Sequence, residues 1–162
     1  MKFSTQEEYG LRCLLQIAKQ KSDKGLTIPE ISELEGLTIP NVAKLMRILR
    51  LGGLVESERG QIGGYRLSLH ANQTSLQDIL NVLGGRLFED EFCNSHSGAI
   101  DICTNSIDCS IRSVWKTVQK VVDDVLGKLT LQDLLSSEEE VDLLVTDKFE
   151  DSAASIPLKV LK

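Results

Sequence analysis

Three of the four cysteines lie close together in a polar stretch near the middle of the chain. Cys93, Cys103 and Cys109 fall within residues 88–113, among asparagine, serine, glycine and aspartate, and His96 follows Cys93 by three residues. Thiolates and imidazole nitrogens are metal ligands, and thiols also oxidise reversibly to disulfides. These residue types at this density predict either a metal centre or a redox switch.

The cellular compartment decides which sulfur chemistry is expected. No part of the 162-residue sequence approaches the roughly 20 consecutive apolar residues that cross a bilayer. The first residues, MKFSTQEEYG, lack the apolar run of a signal peptide. We therefore expect a cytoplasmic protein without membrane association. Cytoplasmic thiols stay reduced, so clustered cysteines there more often bind metal or react than form structural disulfides.

Four uses of the three thiols are open from the residues alone. An iron–sulfur cluster takes cysteine thiolates most often and accepts other ligands. Zinc would find a complete tetrahedral set in Cys93-x-x-His96 together with Cys103 and Cys109. A reversible disulfide and three unligated thiols are the other two. We expect Cys109 in the first turn of a helix, where unpaired N–H groups, the helix dipole and the nearby Arg112 favour a thiolate.

Capping signals and apolar periodicity place these thiols among helices. Capping boxes at Thr5-x-x-Glu8 and Thr27-x-x-Glu30 predict two helices, the first from about residue 5 to residue 20. Thr38 begins a third helix that a pair of glycines ends, and a serine caps a fourth after residue 74. The cysteine stretch joins the fourth helix to the next one.

Residues 27–70 have the pattern of a DNA-binding winged helix. Two short helices joined by a tight turn at Gly36 are typical of a helix-turn-helix, although any small three-helix bundle shares that pattern. Apolar residues then flank a glycine-rich centre, which predicts a β-hairpin in the position of a wing. At the tip, Arg59 beside Gly60 would approach a phosphate or a narrow groove closely, unless it is only a solvated turn residue.

Charge is distributed unevenly along the chain. Residues 1–70 carry 10 basic and 8 acidic side chains, whereas residues 71–162 carry 8 and 16, for a net charge of −6. An acidic whole argues against sequence-blind binding of nucleic acid, but the locally positive first part leaves room for a specific site.

A long apolar stripe follows the cysteines. Helical spacing predicts a helix of about five turns from Ile111, Val114, Trp115, Val118, Val121, Val122, Val125, Leu126 and Leu129. Too few other elements remain to cover this stripe, so we expect it to pack against the first helix and against a second copy of itself. A purely intrachain core helix is the alternative.

Thr130 caps a short helix after the long one. The tail from Ser136 is acidic and weakly periodic, so it is expected to be flexible and is assigned no function.

These elements divide the chain into three regions. We predict a winged helix-turn-helix over residues 1–70, the cysteine loop and dimerisation helices over 71–135, and the tail over 136–162. The fold class is mainly α with a small β wing.

Cys13 lies inside the first helix beside apolar residues and is interpreted as core packing. His70 and His96 have no nucleophile–acid arrangement around them, so the chain is not expected to be an enzyme.

Several segments together resemble a known family. The order and spacing of IscR/NsrR/CymR-type bacterial transcription regulators are found in MKFSTQEEYGLRCLLQIA, LTIPEISELEGLTIPNVAKLMRILRLGGLVES, RGQIGGYRLS and SLQDILNVLGG. The resemblance covers about residues 1–135, and the glycine-rich wing segment is its most specific part. It implies a dimeric winged helix-turn-helix with a long C-terminal dimerisation helix. In many members, three cysteines before that helix hold an iron–sulfur cluster, whereas members without those cysteines act without one.

The resemblance favours an iron–sulfur cluster, 2Fe–2S or 4Fe–4S, over a thiol switch, zinc or no ligand. Nine residues separate Cys93 from Cys103, more than in IscR-like relatives. Those relatives take a histidine as fourth ligand where this chain has Arg112, which cannot serve because a guanidinium stays protonated. NsrR-like members use a carboxylate of the partner subunit at a position matched by Glu8. Glu8 is therefore the preferred fourth ligand, unless it is only the capping partner, and His96 is the alternative.

The third helix supplies the residues expected to read DNA. Entering the major groove from Thr38, it would place its N-terminal residues at the base edges. Asn41 and Lys44 lie opposite its apolar stripe and are candidates for base or phosphate contacts. Arg47 and Arg50 would hold phosphates.

We therefore predict a sequence-specific transcription regulator, and in particular a repressor. As a homodimer it would bind double-stranded DNA at an imperfect palindromic operator. Through the cluster it would sense iron–sulfur status, redox stress or nitric oxide. The main alternative is a cluster-free regulator of the same fold, acting by thiol oxidation, zinc binding or a protein partner. An electron-transfer protein is a further alternative, although three clustered cysteines are one short of the usual four.

Overall fold

The computed structural model describes residues 3–20, 24–58, 63–89, 91–97, 103 and 105–155, with side chains to residue 148. Within these ranges the chain forms seven α-helices and one antiparallel pair of strands. Their bounds are α1 Thr5–Lys19, α2 Ile28–Glu35, α3 Ile39–Leu51, β1 Val55–Glu58, β2 Gly64–Leu67, α4 Leu76–Leu83, α5 Phe92–Ser95, α6 Ser110–Leu126 and α7 Glu138–Ser155. The predicted class, mainly α with a small β wing, is confirmed.

The first helix begins with a capping box one residue earlier than predicted. The Ser4 hydroxyl accepts a hydrogen bond from the Glu7 amide at 3.2 Å, and the Glu7 carboxylate accepts one from the Ser4 amide at 2.6 Å. The predicted box between Thr5 and Glu8 is wrong because Ser4, and not Thr5, has the extended backbone of an N-cap.

The helix-turn-helix forms between α2 and α3. Thr27 and Glu30 make the predicted capping box, and the hydrogen bonds from the Thr27 hydroxyl and amide lower the pKa of the Glu30 carboxyl to about 2. The helix ends at Gly36, whose φ of 65° is left-handed backbone that favours glycine. Thr38 is the N-cap of α3, but its side chain makes no capping hydrogen bond.

The hydrophobic core lies where α1, α3 and α4 meet. Its buried side chains include Leu14, Ile17, Ile31, Val42, Leu45, Met46, Leu49, Ile79, Leu80 and Leu83. Cys13 is fully buried among them, which confirms its interpretation as core packing. Burial raises the pKa of the Cys13 thiol to about 11, so this cysteine stays protonated at neutral pH.

The predicted hairpin is present after α3. Strands β1 and β2 pair antiparallel along their whole length, and a bridge between Leu26 and Tyr65 ties the segment before α2 to the sheet. Arg59 and Gly60 lie outside the described residues, so their contact with DNA stays a prediction.

Helix α6 is exposed in its first half and half-buried in its second. Ile111, Val114 and Trp115 are 59%, 56% and 44% exposed, and Gln119 is the one buried side chain of this fully described helix. The principal neighbours of α6 within the chain are α4 and α7. The sequence predicts packing of α6 against α1, but its larger contacts within the described residues are with α4 and with α7, a helix that the sequence does not predict.

The acidic tail contains a helix where weak periodicity predicts none. Ser137 and Glu140 form a capping box, with hydrogen bonds of 2.9 and 3.3 Å, that starts α7 and lowers the pKa of the Glu140 carboxyl. Leu144 packs against the core, and Lys148 pairs with Asp133 at 3.4 Å. Regular structure therefore extends to residue 155.

The connection between α6 and α7 contains a capped turn that begins at Thr130. The Thr130 amide donates to the Asp133 carboxylate at 2.8 Å, and the Thr130 hydroxyl accepts from the Asp133 amide. Asp133–Leu135 form a 3-10 turn in place of the predicted short helix. None of the helices in the described ranges is both long and apolar enough to cross a bilayer.

Candidate functional site

The exposed face of α3 carries the residues predicted to contact DNA. The side chains of Lys44, Arg47 and Arg50 are exposed and make no hydrogen bond or ion pair within the part of the chain that the structure describes. Thr38 is exposed at the start of the helix, and Asn41 is half-buried. Because the opposite face of α3 is buried in the core, these side chains all have access to solvent on the same element.

A buried carboxylate ties this helix-turn-helix to α1. The Glu35 side chain, 7% exposed at the end of α2, accepts hydrogen bonds at 2.6 Å from Arg12 Nε and from Gln16 Nε2. A second guanidinium N–H of Arg12 donates to the Glu35 carbonyl at 2.8 Å. A buried charge is tolerated when it is paired and hydrogen-bonded. The clamp therefore fixes α2, and with it α3, relative to α1.

The described part of the wing is internally charge-paired. Arg66 on β2 lies against two carboxylates of β1, contacting Glu58 and approaching Glu56 at 3.7 Å. The Arg66 charge is thus compensated by two acidic neighbours before any DNA approaches. A positive contact from the wing would have to come from its tip, which holds Arg59.

The first loop cysteine lies on the short helix α5. Cys93 is half-buried, and the neighbouring Phe92 ring packs between the rings of Phe88 and His96, with centroids 5.3 and 4.0 Å away. His96 Nδ1 lies 2.8 Å from the Phe92 carbonyl oxygen. A carbonyl oxygen only accepts, so a hydrogen bond here needs the proton on Nδ1, and in the neutral ring that tautomer leaves the Nε2 lone pair open to a metal. Cys93 and His96 are thus two candidate metal ligands that lie three residues apart in the sequence.

An arginine connects the other two loop cysteines. Cys109 is the N-cap of α6, and its Sγ accepts a hydrogen bond from the Arg112 amide at 3.4 Å. The Arg112 guanidinium donates to the Ser106 carbonyl at 2.7 Å, and the Ser106 amide donates to the Cys103 carbonyl at 3.1 Å. This series of bonds holds the turn after Cys103 against the first turn of α6.

Glu8 does not take part in the capping box at the start of α1. The capping partner in α1 is Glu7, and the exposed side chain of Glu8 makes no hydrogen bond to any described residue. Its carboxylate is therefore available to another group, and its role as fourth ligand stays a prediction.

The candidate ligands do not converge within one described subunit. All four cysteines are free, and no three His, Cys, Asp or Glu side chains among the described residues are close enough to hold a metal ion. Cys93 lies at one end of the loop and the linked pair Cys103 and Cys109 at the other. Both ends of the loop carry thiols that can ligate a metal. Binding one metal centre by all three would require the two ends of the loop to move closer together.

Sequence reasoning missed two polar residues that the structure buries, Glu35 and Gln119. Glu35 is read from the sequence as an ordinary helix-end acid, and nothing local identifies Arg12 as its partner. Gln119 does leave a signal, because it is a polar residue between the apolar Val118 and Val121 of the long helix. A buried polar side chain inside an apolar stripe needs a hydrogen-bonding partner.

Sequence comparison identifies the class of the chain. Residues 3–137 match the model of the Rrf2 family, described as an iron-dependent transcriptional regulator. Protein rrf2 of Nitratidesulfovibrio vulgaris is 30% identical over 135 residues, covering 83% of this chain and 87% of that protein. The HTH-type transcriptional regulator CymR of Bacillus subtilis is 30% identical over 136 residues, covering 84% and 91%.

Solved structures give the same result. IscR of T. potens is 31% identical with a TM-score of 0.64, and the match covers 83% of this chain and 86% of that one. CymR of B. subtilis, titled the global cysteine regulator, is 28% identical with a TM-score of 0.61, covering 83% and 96%. Both structures thus share the fold of this chain, although they are regulators with different names.

Proposed function

Since the chain belongs to the Rrf2 family of transcriptional regulators, we propose that it is a repressor whose DNA binding responds to an iron–sulfur cluster. Membership confirms the resemblance seen in the sequence and places the chain among DNA-binding regulators, which are not enzymes. The cluster, its ligands and its signal are the proposal. A cytoplasmic location stays a prediction.

The contact at Cys109 is the observation that carries the cluster proposal. Its Sγ accepts an N–H from the first turn of α6, and hydrogen bonds to sulfur are a feature of cluster thiolates. Cys93, Cys103 and Cys109 would hold the cluster, either 2Fe–2S or 4Fe–4S. When bound, a cluster supplies an iron centre that oxidants or nitric oxide can alter.

The fourth ligand would come from Glu8 of the partner subunit, with His96 of the same chain as the alternative. Glu8 is exposed and free of capping duty. His96 would instead offer Nε2, because its Nδ1 lies against the Phe92 carbonyl, and it follows Cys93 by three residues. Replacing each in turn by glutamine separates the two, because only loss of the true ligand would change the absorption spectrum of the loaded protein.

DNA recognition is proposed to use two copies of α3 on one operator. Thr38 and Asn41 would lie at base edges, and Lys44, Arg47 and Arg50 would lie along phosphates. The exposed residues of α6 would join the copies, since an apolar groove between α4 and α6, lined partly by Phe3, Leu87 and Val122, continues that face. Two joined copies would read an imperfect palindrome.

Coupling is proposed to pass through the segment between α4 and α6. One end of that segment bears Cys93 and the other end is the N-cap of α6. Gathering or releasing the thiols would change how α6 is set against the winged helix-turn-helix. Shifting a population from 1:99 to 99:1 requires about 5.5 kcal/mol of preference for one state.

Anaerobic purification followed by iron, sulfide and absorption measurements tests the proposal. We expect iron and acid-labile sulfide in the intact chain and none after all three loop cysteines are changed to serine. Loaded and apo protein are expected to differ in affinity for the same operator. Equal affinity would reject the coupling, and absence of iron after reconstitution would reject the cluster.

A cluster-free regulator of the same fold is the second candidate. It is supported by the lack of converged ligands among the described residues and by the similarity to CymR. The triple serine variant decides between them, because unaltered regulation would favour a protein partner. A colourless protein with one zinc per chain would favour zinc, and loss of regulation only after oxidation would favour a thiol switch.

A further inference from the structure

The amide of Gln119 is a buried polar group in the otherwise apolar stripe of α6. The side chain is 5% exposed, and both ends of its amide are used. Oε1 accepts a hydrogen bond from the backbone N–H of Phe88 at 2.9 Å, and Nε2 donates to Asp123 Oδ1 at 2.7 Å. Burying an amide costs free energy unless its polar atoms are hydrogen-bonded. The bonds to Phe88 and Asp123 offset that cost and explain why a glutamine can lie in the apolar stripe.

The same network holds the segment that leads into the cysteine loop. The second oxygen of Asp123 contacts the Arg86 guanidinium, and the Phe88 ring is 8% exposed. An ion pair and a hydrogen bond to the backbone thus fix residues 86–88 to α6, and the Phe88 ring of this segment is buried. That ring packs on Phe92, the neighbour of Cys93.

Both ends of the loop are therefore attached to one rigid element. Cys109 is the N-cap of α6, and Gln119 lies about 15 Å further along it at 1.5 Å per residue. We propose that Gln119 is a positioning residue, whose amide latches residues 86–88 to α6 and so sets where Cys93 lies relative to Cys109. The consequence for metal retention rests on the proposed cluster, whereas the latch itself does not.

Gln119→Met tests the latch in the full-length, reduced apo protein. Methionine keeps the length of the side chain but cannot hold the Phe88 amide. We expect hydrogen exchange at Phe88 and alkylation of Cys93 by a maleimide to become roughly tenfold faster, as for loss of one buried hydrogen bond. Lys120→Met, which places the same side chain on the exposed face of α6, is the matched control and is expected to leave both rates unchanged.

A second variant keeps the test decisive if Gln119→Met does not fold. Gln119→Ala removes the amide and leaves no large side chain in the buried site, so it also cannot hold the Phe88 amide. It is expected to raise the same two rates by a similar factor. Wild-type rates in whichever of the two variants folds would overturn the latch.

The consequence for metal is measured separately. After anaerobic reconstitution, the cluster absorption of Gln119→Met is expected to decay in air several-fold faster than that of the wild type and of Lys120→Met. Equal decay would overturn the positioning role. If no chain takes up iron but the apo rates differ as expected, the proposed function fails and the latch stands.

Discussion

Cys13 and the loop cysteines show how surroundings divide one residue type into two roles. Cys13 is enclosed by apolar side chains and is fully buried, so it contributes packing. Cys109 is half-buried, receives a backbone N–H and lies on a loop between elements. The difference depends on access and on polar neighbours, which decide whether a thiol can meet a metal or an oxidant.

The pKa of Cys13 predicts a loss of stability in alkaline solution. Burial raises that pKa from 9.0 to about 11, so the unfolded thiol ionises before the folded one. The stabilising contribution is complete below pH 9 and is lost as pH rises towards 11. Urea unfolding at pH 8 and pH 10.5 should show about 2 kcal/mol more loss for the wild type than for Cys13→Ala. Equal losses would contradict the burial argument.

At the scale of elements, helices α3 and α7 each present two unlike faces. In α3 one face is core and the other bears cations that pair with no described residue. In α7, Leu144 packs against the core while Leu143 is 64% exposed. A substitution on the core face should therefore change stability, whereas a substitution on the exposed face of α3 should change DNA binding.

The two kinds of DNA contact proposed for α3 predict different effects. Lys44→Ala and Arg47→Ala should weaken binding to all sequences and each reduce the salt slope of log affinity by about 1. Asn41→Ala should cost about 1–3 kcal/mol at one base pair of the operator and leave the slope unchanged. Titrations of operator and mutated operators at several salt concentrations measure both. Lys19→Ala, an exposed cation at the end of α1, is the control that should change neither.

The docking of α7 predicts unequal effects for neighbouring leucines. Leu144→Ala should lower the free energy of unfolding by about 1–3 kcal/mol, because it removes methyl groups packed against the core. Leu143→Ala should change it by about 0.5 kcal/mol or less. Urea denaturation of both variants at one protein concentration makes the comparison. Equal effects would mean that α7 does not dock as described.

At the scale of the whole molecule, the exposed stripe of α6 is an apolar surface that no other described part of the chain covers. Ile111, Val114 and Trp115 lie at helical spacing on one side of a helix whose second half is covered by the chain itself. Contiguous apolar surface of this kind marks an interaction site in soluble proteins. A second copy of the chain is the occupant that the proposed palindromic operator requires.

Val114→Asp tests that dimer. A buried, unpaired carboxylate at the interface should convert the dimer to a monomer in sedimentation velocity. Operator affinity should fall by about 100-fold or more, since one half-site is then bound without its neighbour. Ser113→Asp adds the same charge to an adjacent exposed position and should remain dimeric. A dimeric Val114→Asp protein would place the interface elsewhere.

The sequence by itself determined the local elements and the class of the protein. The Thr27 capping box, the left-handed Gly36 and the glycine pairs after α3 and α4 act through residues a few positions apart, so they can be read directly. The winged helix-turn-helix followed from the order of those elements, and the family followed from the resemblance of four sequence segments to known regulators. The start of α1 was missed by one residue because Ser4 and Thr5 are both competent caps.

Only the tertiary structure decided which distant groups meet. Phe88 and Gln119 are 31 residues apart, and Arg12 and Glu35 are 23 apart, so no periodicity pairs them. The docking of α7 likewise depends on Lys148 reaching Asp133 across a turn. Such pairs form because packing of the apolar faces brings their backbones together, and a buried polar group then binds whichever partner is within reach. The placement of the cysteines relative to α6 is a property of that packing.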